Sequence, residues 1–303
     1  MPVALSDYVK QNIRRNIVEK ILNHIDTPAW NSEIASKVIM GTFDNKTKNY
    51  IRETIIGRGQ ADFTVGFNGL TVEDKALLYS YFYFQMHYSS SYAVFCTYKT
   101  WIENGIWKKC KGVAFIDMGC GPFTSGLAFL EISNDYFKAY KPFNYHYIGI
   151  DIAQSMLDIT NILETDYRTN ATPNRICYNS IVCKTDYKQI TEAEMNEDIG
   201  IIINCCYFFA SPTMDVTAFT EAIQLFVEKH KKNQICFIYQ NALSSRNYII
   251  GNYQQFLKNV NVLKQANHEK NLTFSFLDEF DSTNYAEPTF VVTHQVLIKN
   301  IAT

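Results

Sequence analysis

A glycine-interrupted segment at residues 113–126 constrains the fold more than any other part of the sequence. It opens with the unbroken apolar run 113–116, which is typical of a strand buried on both faces. Gly119 and Gly121 then interrupt the run, and Pro122 suits the first turn of a helix, where its missing N–H costs nothing. Strand, glycine turn and apolar helix together predict the start of a βαβ unit with a ligand site at the turn.

Asp117, two residues before the first glycine, indicates the charge of that ligand. A dinucleotide fingerprint would have its third glycine at residue 124, where this chain has Thr124, and an acid at the strand end would repel a pyrophosphate. Asp117 attracts a cation, whereas the bare N–H groups of a turn at a helix N-terminus favour an anion. S-adenosylmethionine (SAM) carries both an ammonium and a carboxylate, and NAD fits poorly.

The run Ile116-Asp117-Met118-Gly119-Cys120-Gly121 resembles the first motif of class I SAM-dependent methyltransferases, apolar-Asp/Glu-x-Gly-x-Gly. The similarity continues in the right order to about residue 300. It implies a doubly wound α/β fold with a seven-stranded, mostly parallel sheet and an antiparallel last strand. We therefore predict a SAM-binding methyltransferase domain at residues 110–303 and an N-terminal helical cap at residues 1–109.

Acids follow two further predicted strands. Asp151 ends the strand 145–150, where a carboxylate can accept hydrogen bonds from both ribose hydroxyls or cap the next helix, and both roles can hold. The resemblance implies that Asp186 accepts from the adenine amino group and that Tyr187 packs on the ring, with a solvated turn acid as the alternative. The predicted cofactor-binding residues are Asp117, Gly119, Gly121, Asp151, Ile152, Asp186, Tyr187 and Asn204.

The segment Asn204-Cys205-Cys206-Tyr207 follows the predicted strand 199–203. Amine-methylating members of the superfamily carry Asn/Asp-Pro-Pro-Tyr/Phe at this point, and this chain keeps the first and last residues but has cysteines in place of both prolines. The resemblance implies that Asn204 accepts from an attacking N–H and that Tyr207 stacks on a planar or cationic substrate. A cap on the following turn is the alternative for Asn204.

An aromatic segment with helical spacing precedes the glycine turn. Thr71-Val-Glu-Asp resembles a capping box at its start, and His87, Tyr88 and Tyr92 lie where hydroxylated aromatics are densest. We predict a lid over the cofactor, with His87 as a general base and with Tyr88, Tyr92 and Tyr207 as acceptor-binding residues. The alternative is a helix pair that packs on the second domain with its hydroxyls at the surface.

Composition limits the kinds of partner. A net charge of −2 provides no field that would gather nucleic acid. The eight cysteines show no Cys-x-x-Cys spacing, so no metal site is predicted, and free thiols indicate a reducing cytoplasm. No signal peptide is recognised, and no apolar run approaches the about 20 residues of a membrane span. We expect a cytoplasmic protein without a membrane or nucleic-acid partner.

These observations predict a SAM-dependent methyltransferase that acts on a nitrogen or oxygen atom of a small-molecule acceptor, such as a natural product. Two alternatives stay open. The first is an RNA- or ribosome-associated methyltransferase, because the Tyr-rich run before Asp-x-Gly-x-Gly is loosely similar to such a family, although that family's cysteine cluster is missing. The second is a methyltransferase-like scaffold without activity. The sequence specifies neither the acceptor nor the oligomeric state.

Overall fold

A computed structural model describes residues 3–24, 38–39, 42–43, 45–136, 143–170, 176–184, 186–243, 247–276, 280 and 289–301. The strands are β1 (Val38–Ile39), β2 (Thr42–Phe43), β3 (Gly112–Met118), β4 (Phe143–Ile150), β5 (Ile176–Lys184), β6 (Ile199–Cys206), β7 (Ile235–Ala242), β8 (Lys264–Gln265), β9 (Lys270–Ser275) and β10 (Thr289–Lys299). The helices are α1 (Asp7–Ile13), α2 (Glu19–His24), α3 (Asn45–Tyr50), α4 (Val72–Ile102), α5 (Thr124–Tyr136), α6 (Gln154–Asn170), α7 (Val216–Lys229) and α8 (Asn247–Asn259).

The central sheet has the strand order β5-β4-β3-β6-β7-β10, with β9 and the two-residue β8 both paired to β10. The five strands from β5 to β7 are parallel, and β10 runs antiparallel to both β7 and β9. Every residue of β3 and β6 is buried, as expected for central parallel strands covered on both faces. The predicted fold class, with seven main strands and an antiparallel last one, is confirmed.

Helices cover both faces of the sheet. On one face α4, α5 and α6 pack on the strands, and Phe95 of α4 meets Phe115 of β3 and Phe129 of α5 edge-on, with ring centroids 5.9 and 5.7 Å away. On the other face α7 and α8 cover the sheet, where Phe256 stacks on Phe237 at 4.9 Å. Such burial of large aromatic side chains on both faces is a main source of the fold's stability.

Helix α4 is long enough to extend from the hydrophobic core to the edge of the sheet. At 31 residues it is about 46 Å long, and the predicted capping box at its start is formed by Thr71 and Asp74. Its last turns lie in the same hydrophobic core as β3 and α5, so the division of the chain at residue 109 stays a prediction. In the parts of the chain that the structure describes, no helix is both long and apolar enough to cross a membrane.

Candidate active site

A cavity of about 650 Å³ lies at the carboxyl edge of the sheet. Strands β3, β4, β6 and β7 all end there, and the chain order reverses between β4 and β6 on either side of β3. Ligands of open parallel sheets bind at this kind of position, because the loops diverge there and leave a crevice. The cavity is therefore the candidate active site.

The glycine turn after β3 forms one wall of the cavity. Gly119 and Gly121 have φ angles of +64° and +50°, a left-handed conformation that glycine adopts without strain. A Cβ atom at Gly119 would lie 3.1 Å from the Phe208 ring, so a larger residue would narrow the site. The turn thus brings backbone close to a ligand just before α5 begins at Thr124.

Asp151 joins the end of β4 to this turn. Its carboxylate accepts hydrogen bonds from the Gly121 N–H at 3.1 Å and from the Ala153 N–H at 2.9 Å. Burial raises the pKa of Asp151, and the two backbone donors oppose that effect. Asp151 and the 66% exposed Ile152 both line the cavity. The acid supports the turn and also faces the ligand space.

Asp117 lies beneath the turn and is not among the described residues that line the cavity. It is 1% exposed, and its two carboxyl oxygens accept from Asn204 Nδ2 at 2.8 Å and from the Tyr147 hydroxyl at 3.2 Å. Burial raises the pKa of Asp117 to about 7, against the effect of these donors. Because Asp117 is buried outside this lining, a direct contact with a ligand ammonium, as predicted, would require the groups that cover the carboxylate to move.

The raised pKa of Asp117 predicts a pH-dependent stability. The unfolded chain releases this proton near pH 4, whereas the folded protein keeps it to about pH 7, so stability falls as the pH rises through this window. Between about pH 5 and pH 8, we expect wild-type protein to lose about 2 kcal/mol of unfolding free energy relative to Asp117→Asn. Urea denaturation of both proteins measures the difference, and equal pH profiles would contradict it.

A stack of three rings forms another part of the cavity lining. His87 of α4 lies between Tyr83 and Tyr207, with ring centroids 5.7 and 4.4 Å away and interplanar angles of 23° and 21°. The Tyr79 hydroxyl is 3.2 Å from His87 Nδ1. The surrounding rings desolvate the imidazole and lower the pKa of His87 to about 3. So low a pKa makes His87 a weak base and disfavours the predicted role in proton removal.

Tyr207 is held in place by its backbone and by its hydroxyl. Its φ of +58° is left-handed, its N–H donates to the Gln240 carbonyl at 2.9 Å, and its hydroxyl donates to Ser90 Oγ at 3.3 Å. Strand β6 continues through Cys206 without the prolines of the amine-methylating motif. Tyr207 therefore lines the cavity, while Asn204 stays in the sheet and contacts Asp117.

The remaining predicted residues divide into two groups. Tyr187 lines the cavity, but the exposed Asp186 beside it caps a short helix by accepting from the Lys188 N–H at 2.8 Å and is outside the described lining. Tyr88 and Tyr92 stack on each other at 6.1 Å and are likewise absent from that lining. Their predicted contacts with cofactor and acceptor stay predictions.

Other lining residues were not identified from the sequence. Tyr79 and Tyr83 precede His87 by eight and four residues, so helical periodicity starting at His87 was a signal for them. Asn241 and Leu243 lie at the end of β7. The sequence indicated this part of the lining only through the polar residue Asn241 at the carboxyl edge of the strand. A loop from Arg58 to Thr64 also lines the cavity, and nothing in its sequence indicated this.

Comparison with known proteins gives structural similarity alone. No family model and no curated protein matches the sequence. A protein reported as a class I SAM-dependent methyltransferase from Listeria monocytogenes shares 11% identity, covering 94% of this chain and 88% of that chain, with a TM-score of 0.36. The trans-methyltransferase CalH in complex with SAH shares 13% identity over 95% of this chain and 72% of that chain, with a TM-score of 0.41. The DszA carbon methyltransferase shares 10% identity over 96% of this chain and 71% of that chain, with a TM-score of 0.38.

These identities and TM-scores are low, so the site is assigned from its own residues and geometry. The five strands from β5 to β7 are parallel, and their order along the chain reverses at β3. A glycine turn follows β3, and the antiparallel last strand lies between β7 and β9. In strand order and direction, the chain has the doubly wound α/β fold with an antiparallel last strand that the resemblance of its first glycine motif implied.

Proposed function

We propose that the protein transfers the methyl group of SAM to a nitrogen or oxygen atom of a small-molecule acceptor. One observation carries this proposal: the glycine turn with Asp151 and the ring stack of Tyr83, His87 and Tyr207 line the same cavity. Its volume of about 650 Å³ is within the usual range of small-molecule sites. Cofactor and acceptor would share one space, as direct transfer between them requires.

The residues at the turn fit the cofactor. Left-handed Gly119 brings backbone close to the ligand space without a side chain, and a Cβ at Gly119 would take up part of that space. The Asp151 carboxylate has about four lone-pair sites, of which the two backbone N–H groups use two, so two ribose hydroxyls can still donate to it. Tyr187 offers an aromatic face for the adenine.

The residues at the ring stack support methyl transfer by orientation. SAM, when bound, supplies a methyl group that its sulfonium already activates. The chain's part is to align the acceptor atom with the S–CH3 bond and to exclude water. The rings of Tyr79, Tyr83 and Tyr207 provide a rigid, largely apolar wall for this. Because His87 is a weak base, we propose an acceptor that needs no strong base, such as a neutral amine or an acidic hydroxyl.

Calorimetric titration with SAM and with NADH tests the cofactor. We expect SAM to bind with a dissociation constant on the order of micromolar, and NADH to give no heat of binding, since the turn lacks the third glycine of the dinucleotide fingerprint. Absence of SAM binding by the folded protein would overturn the proposal and favour a scaffold.

Labelled SAM then identifies the acceptor class. We expect methyl transfer to some members of a panel of amines and phenols, but none to bulk RNA. Arg58 is the one arginine or lysine among the described residues that line the cavity, and it forms an ion pair with Glu53, which leaves little positive charge for a phosphate backbone. Transfer to RNA alone would contradict the small-molecule assignment.

A further inference from the structure

Asn241, near the end of β7, has a buried amide group that the protein itself does not satisfy. The side chain is 0% exposed, yet the residue lines the cavity. Its Oδ1 accepts from the Ala242 N–H at 3.0 Å, which fixes the orientation of the amide plane. Its Nδ2 has no hydrogen-bond partner among the described residues. An unpaired buried donor lowers the stability of the fold, so its presence in the structure requires an explanation.

Its position in the cavity distinguishes Asn241 from other buried groups of this kind. Asn204 Oδ1, Gln234 Oε1 and Gln240 Oε1 also lack partners among the described residues, but none of these residues lines the cavity. The Asn241 amide opposes the rise that burial causes in the pKa of the neighbouring Tyr239, although the two groups do not reach hydrogen-bond geometry. Because Asn241 lines the cavity, a ligand there is the candidate partner, and a small movement of the side chain must first expose Nδ2, which is closed to solvent in this structure.

The chemistry of the amide narrows the choice of ligand. Because Oδ1 is already engaged, the free part of the side chain is an –NH2 group, which only donates. The ligand must therefore supply an acceptor atom. Arg58, paired with Glu53, is the only described cationic residue in the lining, so a neutral carbonyl oxygen suits the cavity better than a carboxylate. The rings of Tyr79, Tyr83 and Tyr207 favour a planar molecule.

We propose that Asn241 is a specificity-determining residue, whose Nδ2 donates a hydrogen bond to the carbonyl oxygen of a neutral, planar methyl acceptor. This inference rests on the proposed function, since it concerns the acceptor of the same site. It assigns to Asn241 the recognition of one functional group, and it leaves SAM binding to the glycine turn and Asp151.

Thermal unfolding provides the first test. Asn241→Leu keeps the approximate shape of the side chain and removes the unpaired donor, and the N–H of the exposed Ala242 can be hydrated, so its melting temperature should equal or exceed that of wild type. The control is Asn233→Leu. Asn233 is 2% exposed and its Nδ2 donates to the Asn196 and Ile199 carbonyls, so this variant should melt several degrees lower. An equal drop in both variants would make Asn241 structural and overturn the inference.

Ligand binding provides the second test. Chromone carries a ring carbonyl, and its deoxygenated analogue chromene does not. Titrated into the complex with SAH, chromone should bind wild-type protein roughly tenfold more tightly than chromene, and Asn241→Leu should abolish this preference. Equal affinities in wild type, or a preference that survives in Asn241→Leu, would overturn the inference. SAM titration of both proteins separates the two proposals: if wild type binds no SAM, the proposed function fails and the inference with it.

Discussion

Asp151→Ala is expected to weaken SAM binding about 100-fold. Each hydrogen bond from a neutral donor to a carboxylate contributes about 1.5 to 3 kcal/mol, and the loss of two ribose contacts would cost about 3 kcal/mol in total. The carboxylate is also the acceptor for the Gly121 N–H, so its removal loosens the turn that faces the cofactor. Isothermal titration calorimetry of wild type and variant measures the change.

A matched control separates this effect from a general loss of charge. Asp158 is an exposed acid on α6, the helix that follows Asp151, and its side chain accepts from Gln154 on the surface. Asp158→Ala should bind SAM like wild type. Asp151→Asn, which keeps the shape and one acceptor oxygen, should fall between the two. If folded Asp151→Ala bound SAM with unchanged affinity, Asp151 would retain only its role in supporting the turn.

The glycine turn and the sheet could be predicted because their determinants are local. An apolar run, two closely spaced glycines and a following helix define one βαβ unit whatever the rest of the chain does. Asp151 could be predicted for the same reason, since it directly follows an apolar strand. Parallel strands then place these local features at one edge, which is why Gly119, Gly121 and Asp151 all line the cavity.

The acceptor side could not be predicted in the same way. The aromatic run is so dense that every face of α4 carries rings, and composition alone does not tell which face meets the cavity. Tyr88 lies one residue after His87, about 100° around the helix, and stacks on Tyr92 and Phe84 instead. Packing of α4 against α5 and the sheet decides the orientation, and that packing is a tertiary property.

The pairing of Asp117 with Asn204 also depends on tertiary structure. Each residue was interpreted from its own motif: Asp117 as a contact for a cationic group of the ligand, and Asn204 as a contact for the methyl acceptor. The register of β3 against β6 makes them direct neighbours, with Asn204 Nδ2 2.8 Å from the Asp117 carboxylate. Register between strands 87 residues apart in the chain is not visible in either motif.

Because of this pairing, we expect the main effect of Asn204→Ala to be a loss of stability, with any effect on methyl transfer secondary to it. The substitution leaves a carboxyl group that is 1% exposed without its strongest described donor, and we expect a loss of about 3 kcal/mol in the free energy of unfolding. The pKa of Asp117 should rise further, since the amide no longer favours the charged form. Urea denaturation at neutral pH measures the stability, and calorimetry with SAM shows whether the folded variant still binds.

A double-mutant cycle assigns the loss to the pair. Asp117→Ala, Asn204→Ala and the double variant should show a coupling energy of about 1 to 3 kcal/mol, because the second substitution removes a group that the first has already left without a partner. If Asn204 instead contacts the acceptor as its motif suggests, Asn204→Ala will be as stable as wild type and will lose turnover alone. A coupling energy near zero together with reduced turnover would therefore return Asn204 to the acceptor, whereas strong coupling keeps it in the sheet as the residue that holds Asp117 beneath the turn.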